Sequence, residues 1–276
     1  MKIRVADYIA DMLVKNGIHH VFSVTGGGAM HLNDGLGHKE GLTCIYNHHE
    51  QACAIAAESY ARINNQIAAV CVTTGPGGTN AITGVLGGWL DSIPMLILSG
   101  QVRYDTTVRS TGLNIRAYGD QEYDIVKMVS NITKYAWMVT DAADIRYCLE
   151  KALYLAKTGR PGPVWLDIPL NVQGAYIETE QLRGYDPLEE QKNVVPKVTD
   201  ELAKEIIAKI RNAKRPVFNA GNGIRIAGAA EIFLRVVEKL GIPVVTGWNS
   251  IDLIYDTHPL YTCLLYTSDA ADELDG

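Results

Sequence analysis

Ala68-Ala69-Val70-Cys71-Val72-Thr73-Thr74-Gly75-Pro76-Gly77-Gly78-Thr79-Asn80 decides the fold. A short apolar run, 68–73, enters a glycine-rich turn, and a stretch of helical spacing, 80–90, follows. A strand without polar alternation is buried on both faces, and a strand that feeds a helix in this way belongs to a parallel sheet. Apolar runs at 20–24, 43–46, 95–99, 135–139 and 164–168 repeat the pattern, with helical stretches at 51–63 and 142–157 between them. The expectation is an α/β domain whose parallel sheet carries helices on both faces.

Ahead of this pattern, Ala6, Ile9 and Leu13 fit an amphipathic helix stopped by Gly17; the acids among them are foreign to a signal peptide. No apolar run approaches the ~18 residues that a membrane-spanning helix needs. With 31 acidic against 25 basic residues and a net charge of −6, the chain lacks the basic surplus of a nucleic-acid binder. Cys44, Cys53, Cys71, Cys148 and Cys263 are widely spaced with no CxxC pair, which fits a reduced, cytoplasmic setting.

The character changes past the last of these strands. Residues 1–172 read as one domain and the polar, proline-punctuated stretch 173–198 as a linker. Residues 199–262 read as a second α/β pattern: a helix at 199–211, a strand at 216–220, a helix at 229–240 and a strand at 243–246. Two strands and two helices are too few for a doubly wound domain, so this one is expected to be partial. Cys263-Leu-Leu-Tyr-Thr-Ser-Asp-Ala-Ala-Asp-Glu273 resembles a translated transposon-end sequencing adapter. Against the ordinary reading of an acidic tail, 263–276 is therefore expected to be non-native and poorly packed, with the natural chain continuing past Thr262.

Several clusters could carry chemistry. Val24-Thr25-Gly26-Gly27-Gly28 lets a ligand approach the backbone, or simply lets the chain turn. Asn47-His48-His49-Glu50-Gln51 opens a helix at a strand end, where parallel sheets place ligands. Glu50 is equally a helix-start acid favoured by the macrodipole, and position 53 is Cys, so no HExxH zinc pair exists. The 73–80 turn can cradle an anion at a helix start but lacks the Walker lysine. Gly221-Asn-Gly223 with Gly228 is only a loose dinucleotide-type turn. Asp120-Gln121-Glu122 lies in a long loop, and Gly159-Arg160-Pro161-Gly162-Pro163 precedes a strand.

Their order is more telling than any one of them. A glycine turn, then HEQ (49–51), A-A-E-x-Y-A-R (56–62), T-x-G-P-G-x-x-N (73–80), D-S-x-P (91–94), S-G-Q (99–101), G-R-P-G-P-V (159–164) and D-I-P (167–169) succeed one another. This series resembles the pyrimidine-binding domain of thiamine-diphosphate enzymes, in the acetolactate synthase (acetohydroxyacid synthase) large-subunit branch. The resemblance is dense from Val5 to Gln173. It continues more loosely to Tyr261, over what looks like the first half of the family's Rossmann-like central domain.

The resemblance implies an enzyme that decarboxylates a 2-oxo acid such as pyruvate and ligates the activated aldehyde to a second carbonyl compound, as in branched-chain amino acid biosynthesis. It implies thiamine diphosphate as cofactor, with Glu50 as the carboxyl hydrogen-bonded to the pyrimidine N1′, held in an apolar pocket that raises its pKa. By matching position, Gly26 and Gly27 line the pyrimidine pocket, Pro76 and Asn80 sit beside the cofactor, and Gln121 contacts substrate. Arg160 matches an arginine that contacts FAD in flavin-containing members. The diphosphate and its Mg²⁺ belong to a C-terminal domain with a G-D-G…N motif that this sequence lacks, so no metal ligand is expected here. The family's active sites lie between subunits, which implies a homo-oligomer, and this piece alone is expected to be inactive.

Departures from the pattern leave the substrate open. Asp120 stands where an aromatic usually precedes the Gln-Glu pair, and Leu170-Asn171 where Lys-Asp is usual. Thr25 replaces a common proline, and the loop 102–119 is longer than usual. A carboxylate wall at Asp120 favours a hydroxylated partner. A carboligase or lyase acting on another 2-oxo acid or keto-sugar of polysaccharide metabolism is the alternative. A non-catalytic nucleotide-binding module on the same fold is the second.

Overall fold

The structure, a computed structural model, describes residues 2–193 and 197–264. The chain divides into two compact units, one running to residue 194 and one from residue 195. The first opens with β1 (Lys2–Arg4) and α1 (Val5–Lys15). It then alternates β2 (His20–Ser23), α2 (Met30–His38), β3 (Thr43–Tyr46), α3 (Glu50–Asn64), β4 (Ala68–Val72), α4 (Pro76–Asp91) and β5 (Met95–Gln101). Short helices α5 (Val108–Thr111) and α6 (Ile125–Val129) punctuate the long connection to β6 (Tyr135–Met138). α7 (Ile145–Lys157), β7 (Pro163–Pro169), α8 (Leu170–Gln173) and β8 (Tyr176–Glu178) follow.

Six strands form one sheet in the order β3-β2-β4-β5-β7-β6, every neighbouring pair parallel. The two-residue period of a strand divides each apolar run between two cores. Ala69, Cys71, Leu96, Leu98, Val164 and Leu166 face α1, α2 and α7, which bring Ile9, Leu13, Leu32, Leu36 and Leu149. Ala68, Val70, Val72, Met95, Ile97 and Trp165 face α3, α4 and α6, which bring Ala54, Ala57, Ala81, Val85 and Ile125. Burial on both faces is why these strands read as unbroken apolar runs.

The order also creates a switch point. The chain leaves β2 through α2, on one face, and leaves β4 through α4, on the other. Between these neighbouring strands the connections diverge at the carboxyl edge, and a crevice opens there.

Two expected boundaries move. Helix α4 begins at Pro76, not at residue 80: proline suits a first helical turn, whose N–H groups have no intrahelical partner. The stretch from 173 is not a linker over most of its length. Gln173 is buried and donates to the carbonyls of Gly28 and Ile168 at 2.8 and 2.6 Å. Next, β8 pairs antiparallel with β1 (Lys2↔Glu178), Leu182 is buried, and Tyr185 packs edge-on against Tyr147 while its N–H donates to Glu150 at 2.7 Å. Sparse apolar residues in a polar stretch are enough to anchor it to α7.

The second unit contains α9 (Asp200–Asn212), β9 (Phe218–Ala220), α10 (Gly223–Ile226), α11 (Ala230–Leu240), β10 (Val244–Thr246) and β11 (Tyr261–Leu264). Its parallel sheet runs β11-β10-β9 over a small core of Ala220, Val237, Val244, Leu253 and Ile254. The third strand takes in Cys263 and Leu264 from the segment expected to pack poorly. The rest of that segment, 265–276, lies outside the described residues. Among the described residues no helix is long and apolar enough to cross a membrane.

Helices α3 and α4 come into backbone-close contact at Gly84, where an added Cβ would lie 2.6 Å from both the Ala54 Cβ and the Ile55 nitrogen. Gly84→Ala is expected to cost about 1–3 kcal/mol through overpacking, which outweighs the ~1 kcal/mol that alanine ordinarily gains over glycine in a helix, so the chain is destabilised. Urea unfolding of the two proteins measures the difference.

Candidate functional site

The loops after β2 and β4 meet at the switch point. A Cβ on Gly26 would collide with the Thr73 side chain, and one on Gly28 would stand 2.9 Å from the Thr74 Cβ. Nothing lies within 4 Å of a Cβ on Gly27. Of the two glycines expected to line a pocket, Gly26 is therefore required by the packing of the loops, and only Gly27 borders free space.

Gly75 turns the chain with φ +54°, and a Cβ there would strike the carbonyl oxygen of Gln121. The loop that carries Gln121 thus lies directly across this turn. Gln121 itself holds a left-handed backbone (φ 57°), which is uncommon for a residue with a Cβ. The carboxylate of Glu122 gathers the loop, accepting from Val108 N–H at 2.5 Å, Tyr118 N–H at 3.0 Å and Gly119 N–H at 3.3 Å. Gln121 and Asp120 are both exposed. The carboxylate wall expected of Asp120 is therefore not formed in this unit.

Glu50 is the first residue of α3. His49 caps that helix, its Nδ1 accepting the Gln51 N–H at 3.1 Å. Asn80 stands one turn inside α4, and its Nδ2 donates to Glu50 Oε2 at 3.0 Å. The contact at Gly84 sets the two helices side by side, so both N-termini open onto the same crevice. The other carboxylate oxygen, Oε1, points toward Gly77, 3.6 Å from where a Cβ would stand, and makes no hydrogen bond among the described residues. Thr73 Oγ1, which faces Gly26 and Gly28, is buried without a hydrogen-bond partner, an unusual state for a hydroxyl. Glu50 is half-buried rather than enclosed. Glu50 is a helix-start acid whose carboxylate faces the crevice.

Glu50, Asn80, Pro76, Gly26, Gly27 and Gln121 all lie at the carboxyl edge of the sheet. Arg160 does not. It precedes β7, at the opposite edge, where its Nε donates to Ser92 Oγ at 2.7 Å. Leu170 and Asn171 line a separate cavity of about 420 Å³ at the carboxyl edge, together with Met30, His31 and Arg103. Among the described residues no three His, Cys, Asp or Glu side chains are placed to hold a metal ion.

Sequence reasoning missed the polar layer beneath the crevice. Asp167 is fully buried in β7 opposite Ser99 of β5. The Ser99 hydroxyl donates to Asp167 Oδ1 at 2.6 Å, and the Trp165 indole donates to Ser99 Oγ at 2.8 Å. Gln101 Nε2 donates to Asp167 Oδ2 at 3.1 Å and to the Tyr123 carbonyl at 2.9 Å. Gln101 Oε1 accepts from Thr74 Oγ1 at 2.5 Å and from Val102 N–H at 3.0 Å. One acid in an otherwise apolar strand was the available signal, since a buried carboxylate is rare unless it is paired.

A family model described as the thiamine pyrophosphate enzyme N-terminal TPP binding domain matches residues 3–128, and one described as the central domain of the same enzymes matches 203–274. The chain belongs to the thiamine-diphosphate enzymes. Within them it falls in the acetolactate-synthase-large-subunit-like family. It is 35% identical over 252 residues to the acetolactate synthase large subunit of Lactococcus lactis, covering 91% of this chain and 42% of that protein. It is 32% identical to the Escherichia coli isozyme 3 large subunit, over 92% of this chain and 43% of that protein. It is also 32% identical to the chloroplastic acetolactate synthase 2 of Nicotiana tabacum, over 87% and 35%. The chain spans less than half the length of these curated relatives. The central-domain match reaches into the segment set aside as non-native.

Burial pushes the Asp167 carboxyl up to about 7, against the hydrogen bonds from Ser99 and Gln101, which lower it. Its folded value exceeds its unfolded one, so folding takes up a proton between about pH 4 and 7. That stabilising contribution is fully present below the unfolded value and is lost as pH rises through about 7. The melting temperature of the unaltered chain, relative to Asp167→Asn, is therefore expected to fall from pH 4 to 7 and level off above. Paired thermal melts across that range check the sign.

Proposed function

We propose that this chain supplies the pyrimidine-binding half of a thiamine-diphosphate carboligase, with Glu50 as the carboxyl that holds a proton for the cofactor's pyrimidine ring. The observation that carries the reading is the state of that carboxylate: Asn80 holds Oε2, while Oε1 is left toward the Gly77 turn at the crevice, with no hydrogen bond among the described residues. These residues fit a flat heterocycle with ring nitrogens and an exocyclic amine. Gly27 leaves room for it, Glu50 offers a polar contact, and Asn80 fixes the carboxylate plane.

When bound, thiamine diphosphate supplies an electron sink for decarboxylating a 2-oxo acid. The part of this chain is to hold a proton at Glu50 Oε1 and release or recover it as the ring nitrogen requires, a general acid–base role. Asn80 keeps the carboxylate aimed, and Pro76 and Gly75 shape the turn above it. Gln121, held across Gly75, is assigned to the substrate side. The diphosphate and Mg²⁺ fall to a domain outside this chain, and a second subunit completes the site. With Asp120 exposed, nothing in this unit favours a hydroxylated partner, so pyruvate is the expected donor and pyruvate or another small carbonyl compound the acceptor.

In the protein assembled with its diphosphate-binding domain, Glu50→Gln is expected to slow exchange of the cofactor's C2 proton by ~10²–10⁴-fold, the usual span of general acid–base contributions. Nuclear magnetic resonance of the bound cofactor reads that exchange. An unchanged rate overturns the assignment.

A further inference from the structure

We propose that Asp167 is a positioning residue of the site: it fixes the amide of Gln101, and Gln101 ties the turn leading to Pro76 and Asn80 to the loop that carries Gln121. The catalytic meaning of this clamp rests on the function proposed above, whereas the clamp itself does not.

The donor and acceptor chemistry leaves one arrangement. Val102 N–H can only donate, so the oxygen of the Gln101 amide must face it; the Tyr123 carbonyl can only accept, so the amide nitrogen must face that. The second N–H of Gln101 is then directed at Asp167 Oδ2. From the other side, the Trp165 indole can only donate, so Ser99 accepts from it and passes its own proton to Asp167 Oδ1. Two chains of donors end on one carboxylate.

Parity puts all four groups on the α3, α4 and α6 side of the sheet, because 99 and 101 share the period of Met95 and Ile97, and 167 that of Trp165. The charged groups that act on Asp167 are Asp124, beside α6, and Arg109, in α5, with opposed effects. Two partners of Gln101, Thr74 and Tyr123, lie outside the sheet, in the two loops that cross at Gly75. A group that served only to fill the core would have no such reach. Without an acceptor at 167, the Gln101 amide loses the contact that holds it between them, and the Ser99 proton is stranded. An asparagine there keeps an oxygen toward Gln101; its amide nitrogen faces Ser99, whose proton loses its acceptor as it does with alanine, but the clamp on Gln101 survives.

Site-resolved amide hydrogen exchange on the whole chain tests this. The reporters are the Val108, Tyr118 and Gly119 amides, held by Glu122 next to Tyr123. Asp167→Ala is expected to speed their exchange about tenfold relative to amides of β5 and β7, the loss of one buried hydrogen bond, while Asp167→Asn stays within about twofold. Gln101→Met leaves Asp167 in place, and the same loop-selective rise is expected; it stands in where Asp167→Ala does not fold. Loop exchange unchanged in Gln101→Met, or acceleration spread evenly over β5 and β7, overturns the clamp. Amide exchange needs no cofactor, so failure of the Glu50 test leaves this result standing.

Discussion

Backbone-close contact between α3 and α4 at Gly84 is the constraint on which the site depends. Two helices that share a face of one sheet must lie about 8–10 Å apart when ordinary side chains separate them. Glycine at 84 against Ala54 removes that spacer. The N-termini then come near enough for a short amide, Asn80, to reach a carboxylate on the neighbouring helix. A longer side chain at the contact would leave Glu50 as an ordinary exposed acid at a helix start.

Above this pair, the glycines act through shape rather than charge. Gly26 and Gly28 let the β2 loop seat against Thr73 and Thr74, and Gly75 admits the carbonyl of Gln121. The site is made of loops pressed into one another. Backbone freedom at a few positions, not a flexible arm, brings elements distant in sequence together.

The parallel sheet was legible because its strands are buried on both faces and so lack polar residues. Glu50, Asn80 and Gln121 were legible through the order of motifs around them, and Glu50 taken alone gave no reason to choose it over a helix-start acid. Other features were hidden for physical reasons. Residues 173–190 dock on α7 through single side chains such as Leu182 and Tyr185, too sparse to show a period. The start of α4 was obscured because Pro76 and two glycines look like loop until the first-turn position of the proline is known. Asp167 sat inside a motif and was passed over, since its meaning lies in partners on another strand. Arg160 was matched to a flavin-contacting arginine by likeness alone; its place before β7 puts it at the edge opposite the crevice.

The pairing of β1 with β8 has a mechanical side. Three residues at the start of the chain are laced antiparallel to three that follow the last strand of the main sheet. The segment that departs toward the second unit therefore leaves from a ribbon, not from the sheet that carries the crevice. Tension along that segment would fall first on Glu190 and Glu189, paired with Lys151 and Tyr147 of α7, then on the seat of Tyr185, and last on the ribbon. The six parallel strands, with the crevice at their carboxyl edge, are shielded from the load.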